Sequence, residues 1–348
     1  MPRVTRSDVI KPALRRLGGL LLLIGISLLS ARPAAAIDPP VIDPWQQAQQ
    51  MGRGLNVLGY DPIWKDPAKA HFKTQHFAAI RAAGFSTLRV NLAAFAHMNA
   101  ANELDPQWLQ TLDWVVAGAS AQGLNVILDE HDYDRCGKDA VSCREKLMAF
   151  WQQIAARYRD AADNVLFELL NEPNGQMTPA LWNRDLAELL TIVRRDNPGR
   201  SVIIGPANYN DFQRLGDLKL PEDDRHIIVT IHYYAPLTFT HQGAPWVMNG
   251  ALPTGVTWGS PAEYQAITDH FDLVARWSKA QQRPIFLGEF GAYDKGAMTS
   301  RAAYTAAVAR AAEAHGWPWA YWQFDSDFIA YDMKRQSWVE PILKALVP

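Results

Sequence analysis

Two glutamates each stand at the end of an apolar run that has the length of a buried strand. Glu172 follows residues 165–170, and Glu289 follows residues 284–288. A pair of carboxyl groups can cleave a glycosidic bond, because one donates a proton to the leaving oxygen while the other attacks or stabilises the oxocarbenium-like centre. A separation of about 5 Å gives retention of configuration, and roughly 6.5 to 9.5 Å gives inversion. The chemistry therefore depends on the fold that carries the two runs.

Short runs rich in Val, Ile and Leu alternate along the chain with longer amphipathic stretches, a pattern typical of strand–helix units around a parallel sheet. Eight strands are predicted, at residues 55–57, 87–91, 125–128, 165–170, 201–204, 227–232, 284–288 and 319–323. Helices are predicted between them at residues 69–83, 106–122, 143–159, 178–196, 211–218, 261–282 and 300–314, with a last one at 339–346. The predicted fold class is α/β, a single (β/α)8 barrel.

In such a barrel, polar residues at the carboxyl ends of the strands converge on one mouth, which makes them the first candidates for function. The candidates beside the two glutamates are Arg89, Asn91, His131, Asn171, His232, Tyr234 and Trp322. Each follows or ends one of the predicted strands.

Three motifs in this order resemble glycoside hydrolase family 5, the retaining β-glycanases that include many cellulases and mannanases. They are Asn171-Glu172-Pro173, His232-Tyr233-Tyr234 and Gly288-Glu289-Phe290-Gly291. Several related retaining barrel families share the first motif, so the resemblance rests on the three motifs together. The resemblance extends from residues 52–56 in the first strand to Trp322 in the eighth.

The resemblance implies that Glu172 is the general acid/base and Glu289 the nucleophile. Arg89 and Tyr234 would hydrogen-bond Glu289, and we expect these contacts to lower its pKa. The remaining implied roles are a 2-hydroxyl contact for Asn171, the lining of the reactive subsite for His131 and His232, and a ring beneath the sugar for Trp322.

Several charged residues also have a purely structural interpretation. Glu168 lies within the fourth run and is expected to be a buried, salt-bridged residue, and Arg89 could be part of a structural ion pair inside the barrel. An acidic segment after the third strand is expected to be a solvated loop. It contains Asp129, Glu130 and Asp132, followed by Asp134 and Arg135, which are expected to form a pair on the surface.

The first 36 residues have the pattern of an export signal, with five basic residues before an apolar run at 17–29 and three alanines at 34–36. We expect cleavage after Ala36, a periplasmic or extracellular location and no stable membrane insertion afterwards; an uncleaved anchor stays open. Residues 37–348 would form one catalytic domain. They hold 28 basic and 35 acidic residues, a formal charge of −7 that argues against nucleic acid as a partner.

Two further features concern segments outside the predicted strands. Cys136 and Cys143 are the chain's two cysteines, and we expect a disulfide in an oxidising compartment, with two free thiols as the alternative. A long predicted loop at residues 235–260 contains His241, Trp246 and Trp258 and is expected to form a wall of a substrate cleft.

The expected activity is that of an endo-1,4-β-glucanase acting on β-glucan polysaccharide or oligosaccharide, with β-1,3-glucanase or β-mannanase as alternatives. A metal-dependent barrel hydrolase would need ligands such as Asp129, His131 and His232, and the first strand lacks the histidine pair that such an enzyme would add. A non-catalytic sugar-binding protein is the third class. No metal or cofactor is expected, and although the sequence is silent on oligomeric state, we expect a monomer.

Overall fold

Eight parallel strands close into a barrel in the order in which they occur along the chain. This computed structural model describes residues 42–247 and 252–348, so the predicted export signal lies outside the described residues. The strands are β1 Arg53–Val57, β2 Thr87–Leu92, β3 Asn125–Glu130, β4 Val165–Glu168, β5 Val202–Ile204, β6 Ile227–Tyr233, β7 Ile285–Phe290 and β8 Trp319–Tyr321. The predicted (β/α)8 barrel is confirmed.

Helices surround the barrel and begin at recognisable caps. They are α1 Pro44–Met51, α2 Thr74–Ala82, α3 Pro106–Ala121, α4 Tyr133–Lys138, α5 Ala140–Arg157, α6 Pro179–Asp196, α7 Leu237–Thr240, α8 Pro261–Gln281, α9 Met298–Ala314 and α10 Glu340–Leu346. Ser260 and Glu263 form a reciprocal capping box at the start of α8, which satisfies backbone N–H groups that have no partner inside the helix. None of the helices described here is both long and apolar enough to span a membrane.

Some predicted boundaries were wrong, for local physical reasons. Helix α2 begins five residues later than residue 69, because a 3-10 helix occupies Pro67–Lys69 and the Asp61 carboxylate then accepts a hydrogen bond from the backbone of Phe72 at 2.8 Å. The predicted helix at 211–218 is a 3-10 helix, Phe212–Asp217. Helix α1 and the short antiparallel pair β9 Tyr331–Asp332 and β10 Ser337–Trp338 were not predicted.

Helix α1 closes the amino-terminal end of the barrel. Its residues Ala48 and Met51 form a buried apolar cluster with six strand residues, namely Ile127, Leu166, Ile203, Ile228, Phe286 and Ala320. This cluster fills the bottom of the barrel with hydrocarbon, as barrel interiors generally require. The inward-facing polar side chains therefore occupy the opposite end, at the mouth.

Side chains on each strand alternate between the barrel interior and the surrounding helices. On β2, Leu88 and Val90 pack in the main apolar core, whereas Arg89 reaches across the interior to carboxylates on β3, β4 and β7. On β3, the alternation places Ile127 in the bottom cluster and Asp129 beside Arg89 one step higher. The strand register thus builds a polar layer directly above the apolar one.

Cys136 in α4 and Cys143 in α5 are joined by a disulfide bond, which confirms the predicted pairing. The loop that it closes contacts the chain that follows Glu172: the carbonyl of Gly137 accepts a hydrogen bond from the backbone of Gln176 at 2.8 Å. The Asn174 side chain leaves no room for a Cβ on Gly137. The disulfide-closed loop therefore braces the segment that carries Glu172.

Candidate active site

Glu172 and Glu289 face each other across the barrel mouth. Glu289 lies within β7, and Glu172 lies four residues beyond the end of β4 with a positive φ of 42°. An oxygen of each carboxylate and a ring nitrogen of His232 all lie within 4.8 Å of one another. The two carboxyl groups are thus close enough to reach one atom of a bound substrate.

Glu289 is held at both of its oxygens. Arg89 donates to Oε1 at 2.7 Å, and the Tyr234 hydroxyl donates to Oε2 at 2.9 Å. These contacts are the expected ones, and the charge of Arg89 acts on the pKa of Glu289 in the expected direction, since it lowers that pKa. Burial raises the pKa of Glu289, and the positive charge of Arg89 opposes this rise without reversing it.

Glu172 has a different environment. Its Oε1 lies 2.7 Å from Nδ1 of His232, and its side chain remains 15% exposed. Burial raises the pKa of Glu172 to about 7, so that at neutral pH the group exists in both protonation states. Burial also lowers the pKa of His232 to about 4, so its ring is neutral.

Arg89 connects the two sides of the site. It has no exposed surface and binds Glu168 through two hydrogen bonds of 2.8 Å each. It also donates to Asn171 at 2.7 Å and lies 3.2 Å from Asp129. The ion pair expected for Glu168 is therefore present, and the same guanidinium orients Asn171 and Glu289.

The remaining predicted residues complete one network. Nδ1 of His131 lies 2.6 Å from Asp129, and its ring stacks on Trp322 at 5.6 Å with an interplanar angle of 8°. Asn171 lies 3.4 Å from the other nitrogen of His131. The structure thus brings together all eight residues predicted for catalysis and substrate binding: Arg89, His131, Asn171, Glu172, His232, Tyr234, Glu289 and Trp322.

Three residues at the mouth were missed. Tyr60 meets Trp322 edge to face at 6.4 Å, and Tyr133 meets His131 at 5.3 Å. Asn210 contacts His232 at 3.2 Å. Tyr60 follows β1 by three residues, so its strand-end position was the available signal.

The expectation of a solvated acidic loop was wrong for three of its residues. Asp129, Glu130 and Asp132 are buried, because β3 extends through residue 130 and Asp132 directly precedes α4 instead of lying in a loop. Glu130 accepts a hydrogen bond from the Asp132 backbone at 3.0 Å, and Asp132 accepts one from the backbone of Phe95 at 2.7 Å. These carboxylates stabilise the loops beside the mouth.

The predicted surface pair of Asp134 with Arg135 was also wrong, because each of the two residues pairs with a different partner. Asp134 pairs with Lys138, one helical turn further along α4, at 2.5 Å. Arg135 pairs with Asp132 at 3.1 Å. The helical spacing of α4, which was not predicted, sets both pairs.

The long loop after β6 divides into two parts. Trp258 is buried against Tyr304, so this tryptophan does not line a cleft. Trp246 is 53% exposed and meets the ring of Tyr293, which follows β7, at 4.9 Å. His241 packs against Tyr234 at 4.9 Å. Of the loop residues that the structure describes, those before residue 248 therefore contribute to the mouth.

A model of the cellulase family, glycosyl hydrolase family 5, matches residues 48–327. The chain belongs to glycosyl hydrolase family 5. This confirms the resemblance that the three sequence motifs indicated.

Family 5 relatives cover most of the chain. Endoglucanase H of Acetivibrio thermocellus is 29% identical over an alignment of 322 positions that covers 89% of this chain and 34% of that protein. Endoglucanase A of Clostridium longisporum is 28% identical over an alignment of 324 positions that covers 85% of this chain and 60% of that protein. The chain thus spans about a third and about three fifths of these two relatives.

Solved structures of similar proteins match the barrel closely. The endoglucanase Cel5A of Thermotoga maritima, solved in complex with cellobiose and with mannotriose, is 36% identical. The match has a TM-score of 0.83 and covers 88% of this chain and 100% of that one.

The ligand set considered for a metal-dependent hydrolase is not assembled. Within residues 42–247 and 252–348, the group whose ligand atoms converge is Glu172, His232 and Glu289, not Asp129, His131 and His232. In that group both oxygens of Glu289 already accept hydrogen bonds from Arg89 and Tyr234. The geometry therefore favours chemistry at two carboxyl groups.

Replacing Arg89 by leucine should remove the guanidinium that pairs with Asp129, Glu168 and Glu289. Breaking a buried ion pair from one side costs about 3 to 5 kcal/mol, because uncompensated charge stays buried. The three carboxyls of the variant would have folded-state pKa values above their unfolded values. The free energy of unfolding of the variant should therefore be highest at low pH and should decrease as the pH rises through those folded-state pKa values. Urea unfolding at several pH values measures this dependence.

Arg214→Leu is the matched control, since Arg214 forms an ion pair with Asp217 in which the side chains are 48% and 40% exposed. Exposed pairs contribute about 0 to 1 kcal/mol. An Arg89→Leu variant that loses no more stability than this control, or that loses less as the pH rises, would contradict the assignment.

Proposed function

We propose that this protein is a retaining endo-β-1,4-glucanase that cleaves cellulose-like chains by double displacement, with Glu172 as acid/base and Glu289 as nucleophile. The observation that carries the proposal is the separation of the two carboxylates, which have oxygens within 4.8 Å of each other. Retaining glycosidases have separations of about 5 to 5.5 Å, whereas inverting enzymes leave about 6.5 to 9.5 Å for a water molecule.

In the first step, the Glu289 carboxylate forms a bond to the anomeric carbon while the bond from that carbon to the leaving oxygen breaks. Glu172 donates its proton to the leaving oxygen. The contacts of Glu289 with Arg89 and Tyr234 orient its carboxylate for this attack. Glu172, which has no such cationic hydrogen-bond partner and a pKa of about 7, begins the step protonated.

In the second step, the Glu172 carboxylate takes a proton from water, the water oxygen bonds to the anomeric carbon, and the ester bond to Glu289 breaks. Two inversions at the same carbon restore the original configuration. Asn171 is positioned by Arg89 through its oxygen, which leaves its NH2 group to donate to the sugar 2-hydroxyl. That hydrogen bond strengthens in the transition state.

The shape of the mouth supports a polymeric substrate. Three aromatic side chains stand exposed on loops that follow β1, β5 and β6: Tyr60 at 67%, Tyr209 at 52% and Trp246 at 53%. Aromatic rings combine a large apolar surface with a polar tip, which suits the faces of sugar rings. Spread around one end of the barrel, they offer contacts to several sugar units on both sides of the cleaved bond.

The choice of β-1,4-glucan rests on the relatives, which are named endoglucanases, and on the Thermotoga maritima complex with cellobiose. The mannotriose complex of the same protein favours β-mannan as a second candidate substrate. We further propose that the protein is exported and acts outside the cytoplasm. The pattern of residues 1–36 and the disulfide between Cys136 and Cys143 support this location.

Glu289→Ala should nearly abolish hydrolysis, because no glycosyl–enzyme bond can then form. Azide can occupy the space of the missing carboxylate and attack the anomeric carbon from the same side. Added azide should therefore restore part of the activity on an activated aryl β-cellobioside and yield an α-glycosyl azide, which NMR of the product identifies. A β-glycosyl azide would exclude retention.

Glu222→Ala serves as the control for this experiment, since Glu222 is exposed and precedes the amino-terminal end of β6, whereas the site lies at the carboxyl ends of the strands. It should keep wild-type activity on cellotetraose and form no azide adduct. A wild-type protein that cleaves neither β-1,4-glucan nor β-1,4-mannan oligosaccharides would contradict the proposed substrate class.

Glu172→Ala should slow cleavage of cellotetraose by about 10²- to 10⁴-fold, the usual contribution of general acid catalysis. The first step on an aryl glycoside with a good leaving group should be largely spared. In the wild-type protein, kcat/KM for cellotetraose should fall as the pH rises through about 7, because the acid must be protonated and its pKa is about 7. Equal losses on both substrates, or a pH limb that Glu172→Ala leaves unchanged, would count against the assignment.

A further inference from the structure

Asn210 ends a stretch of left-handed backbone between β5 and β6. The φ angles of Asn208, Tyr209 and Asn210 are 69°, 65° and 52°. Three successive non-glycine residues in this region persist only where their surroundings hold them. Here the carbonyl of Pro173 accepts a hydrogen bond from the Asn208 backbone at 2.6 Å, and the carbonyl of Asn210 accepts one from the His232 backbone at 3.0 Å. The stretch is thus tied to the residue after Glu172 and to β6.

The Asn210 side chain is completely buried against the ring of His232. Its Nδ2 lies 3.2 Å from Nε2 of His232. Gly205, directly after β5, makes this placement possible, because a Cβ at that position would overlap the Asn210 amide. The backbone and the packing therefore hold an amide N–H group against one nitrogen of the imidazole.

A neutral imidazole has one N–H donor and one acceptor nitrogen. Nε2 of His232 faces the Asn210 donor and must accept, so the ring proton resides on Nδ1. That nitrogen lies 2.7 Å from Oε1 of Glu172 and 3.5 Å from Oε2 of Glu289. The shorter contact makes Glu172 the acceptor.

Other titratable and charged groups face His232 and Glu172 from the surrounding strands and loops. They are Tyr60 after β1, Arg89 on β2, Asp129 and His131 at the end of β3, Tyr133 on α4, Glu168 on β4 and Glu289 on β7. Among the residues that the structure describes, Asn210 and Glu172 are the side chains that hydrogen-bond the His232 ring.

We propose that Asn210 fixes the ring proton of His232 on Nδ1 and thereby directs the acid proton of Glu172 to its Oε2. This proposal rests on the proposed role of Glu172 as acid/base. Because Nδ1 donates to Oε1, a protonated Glu172 carries its hydrogen on Oε2, which no described residue hydrogen-bonds. With the opposite tautomer, Nδ1 would accept a hydrogen bond from Oε1–H, and the acid proton would point away from the leaving group. Asn210 is a positioning residue and touches no reacting atom.

The proton position can be measured directly by long-range ¹H–¹⁵N NMR of the ¹⁵N-labelled protein. In the wild-type protein we expect His232 to be neutral and protonated on Nδ1 from about pH 6 to about pH 8, well above its pKa of about 4. Asn210→Asp replaces the donor by an acceptor of the same shape, so the proton should move to Nε2. A wild-type ring protonated on Nε2 would overturn the proposal without any activity measurement.

Asn208→Asp is the matched control, because it adds the same charge to the same left-handed stretch at an exposed position. It should leave the proton on Nδ1. Asn210→Gly tolerates the backbone conformation and removes the amide without adding charge. Should that variant fail to fold, the tautomer of the wild-type protein and of Asn210→Asp still decides the question.

Kinetics supply the second readout. For Asn210→Asp and Asn210→Gly we expect kcat/KM on cellotetraose to fall about tenfold to hundredfold, which is part of the 10²- to 10⁴-fold contribution of general acid catalysis, and kcat/KM on an activated aryl glycoside to change less than about threefold. Equal losses on both substrates would indicate a merely structural role and overturn the proposal. If the wild-type protein cleaves no glycan, the proposed function fails, whereas the NMR result still tests where Asn210 places the proton.

Discussion

One buried guanidinium organises the mouth of this barrel. Arg89 has no exposed surface and contacts carboxylates from β3, β4 and β7, as well as Asn56 and Asn171. A planar guanidinium with five N–H groups can serve several acceptors at fixed angles, which a lysine cannot do. Because the strands on which these acceptors lie are distant in sequence, Arg89 links the positions of the strand ends to one another. The proposed nucleophile is thus placed by the barrel interior rather than by a loop.

The same arrangement explains why the two glutamates differ. Three carboxylates share the charge of one Arg89, so burial still raises the pKa values of Asp129, Glu168 and Glu289 despite their ion pairs. Glu289 nevertheless receives a direct hydrogen bond from the cation, whereas Glu172 receives only the contact with a neutral imidazole. Two carboxyl groups a few ångströms apart can therefore hold different protonation states, which is what a double displacement requires.

Much of the fold follows from local sequence patterns. The eight apolar runs predict the strands because a parallel sheet covered on both faces needs continuous hydrocarbon, and residues that end those runs necessarily meet at one mouth. This is why Glu172, Glu289 and Arg89 could be found without coordinates. Helix α1 carries no long apolar stripe, so its role in closing the barrel was not visible in the sequence.

The residues that sequence reasoning missed or misplaced depend on contacts between distant segments. Asn210 lies in a polar loop, and its importance arises only from the packing of Gly205 and His232 around it. The acidic residues near the end of β3 resemble a solvated loop in the sequence, but Asp129, Glu130 and Asp132 are buried in the structure. The direction of the pKa shift of Glu289 likewise depends on its burial, which cannot be read from a short sequence motif.

The most direct test of the account is the configuration of the first product. Cellotetraose hydrolysis can be followed by ¹H NMR at a temperature and enzyme concentration that complete the reaction before the new reducing end mutarotates. Two successive displacements at the anomeric carbon predict that the β-anomer appears first and that the α-anomer follows by mutarotation. An initial release of the α-anomer would show a single displacement and contradict the roles assigned to Glu172 and Glu289.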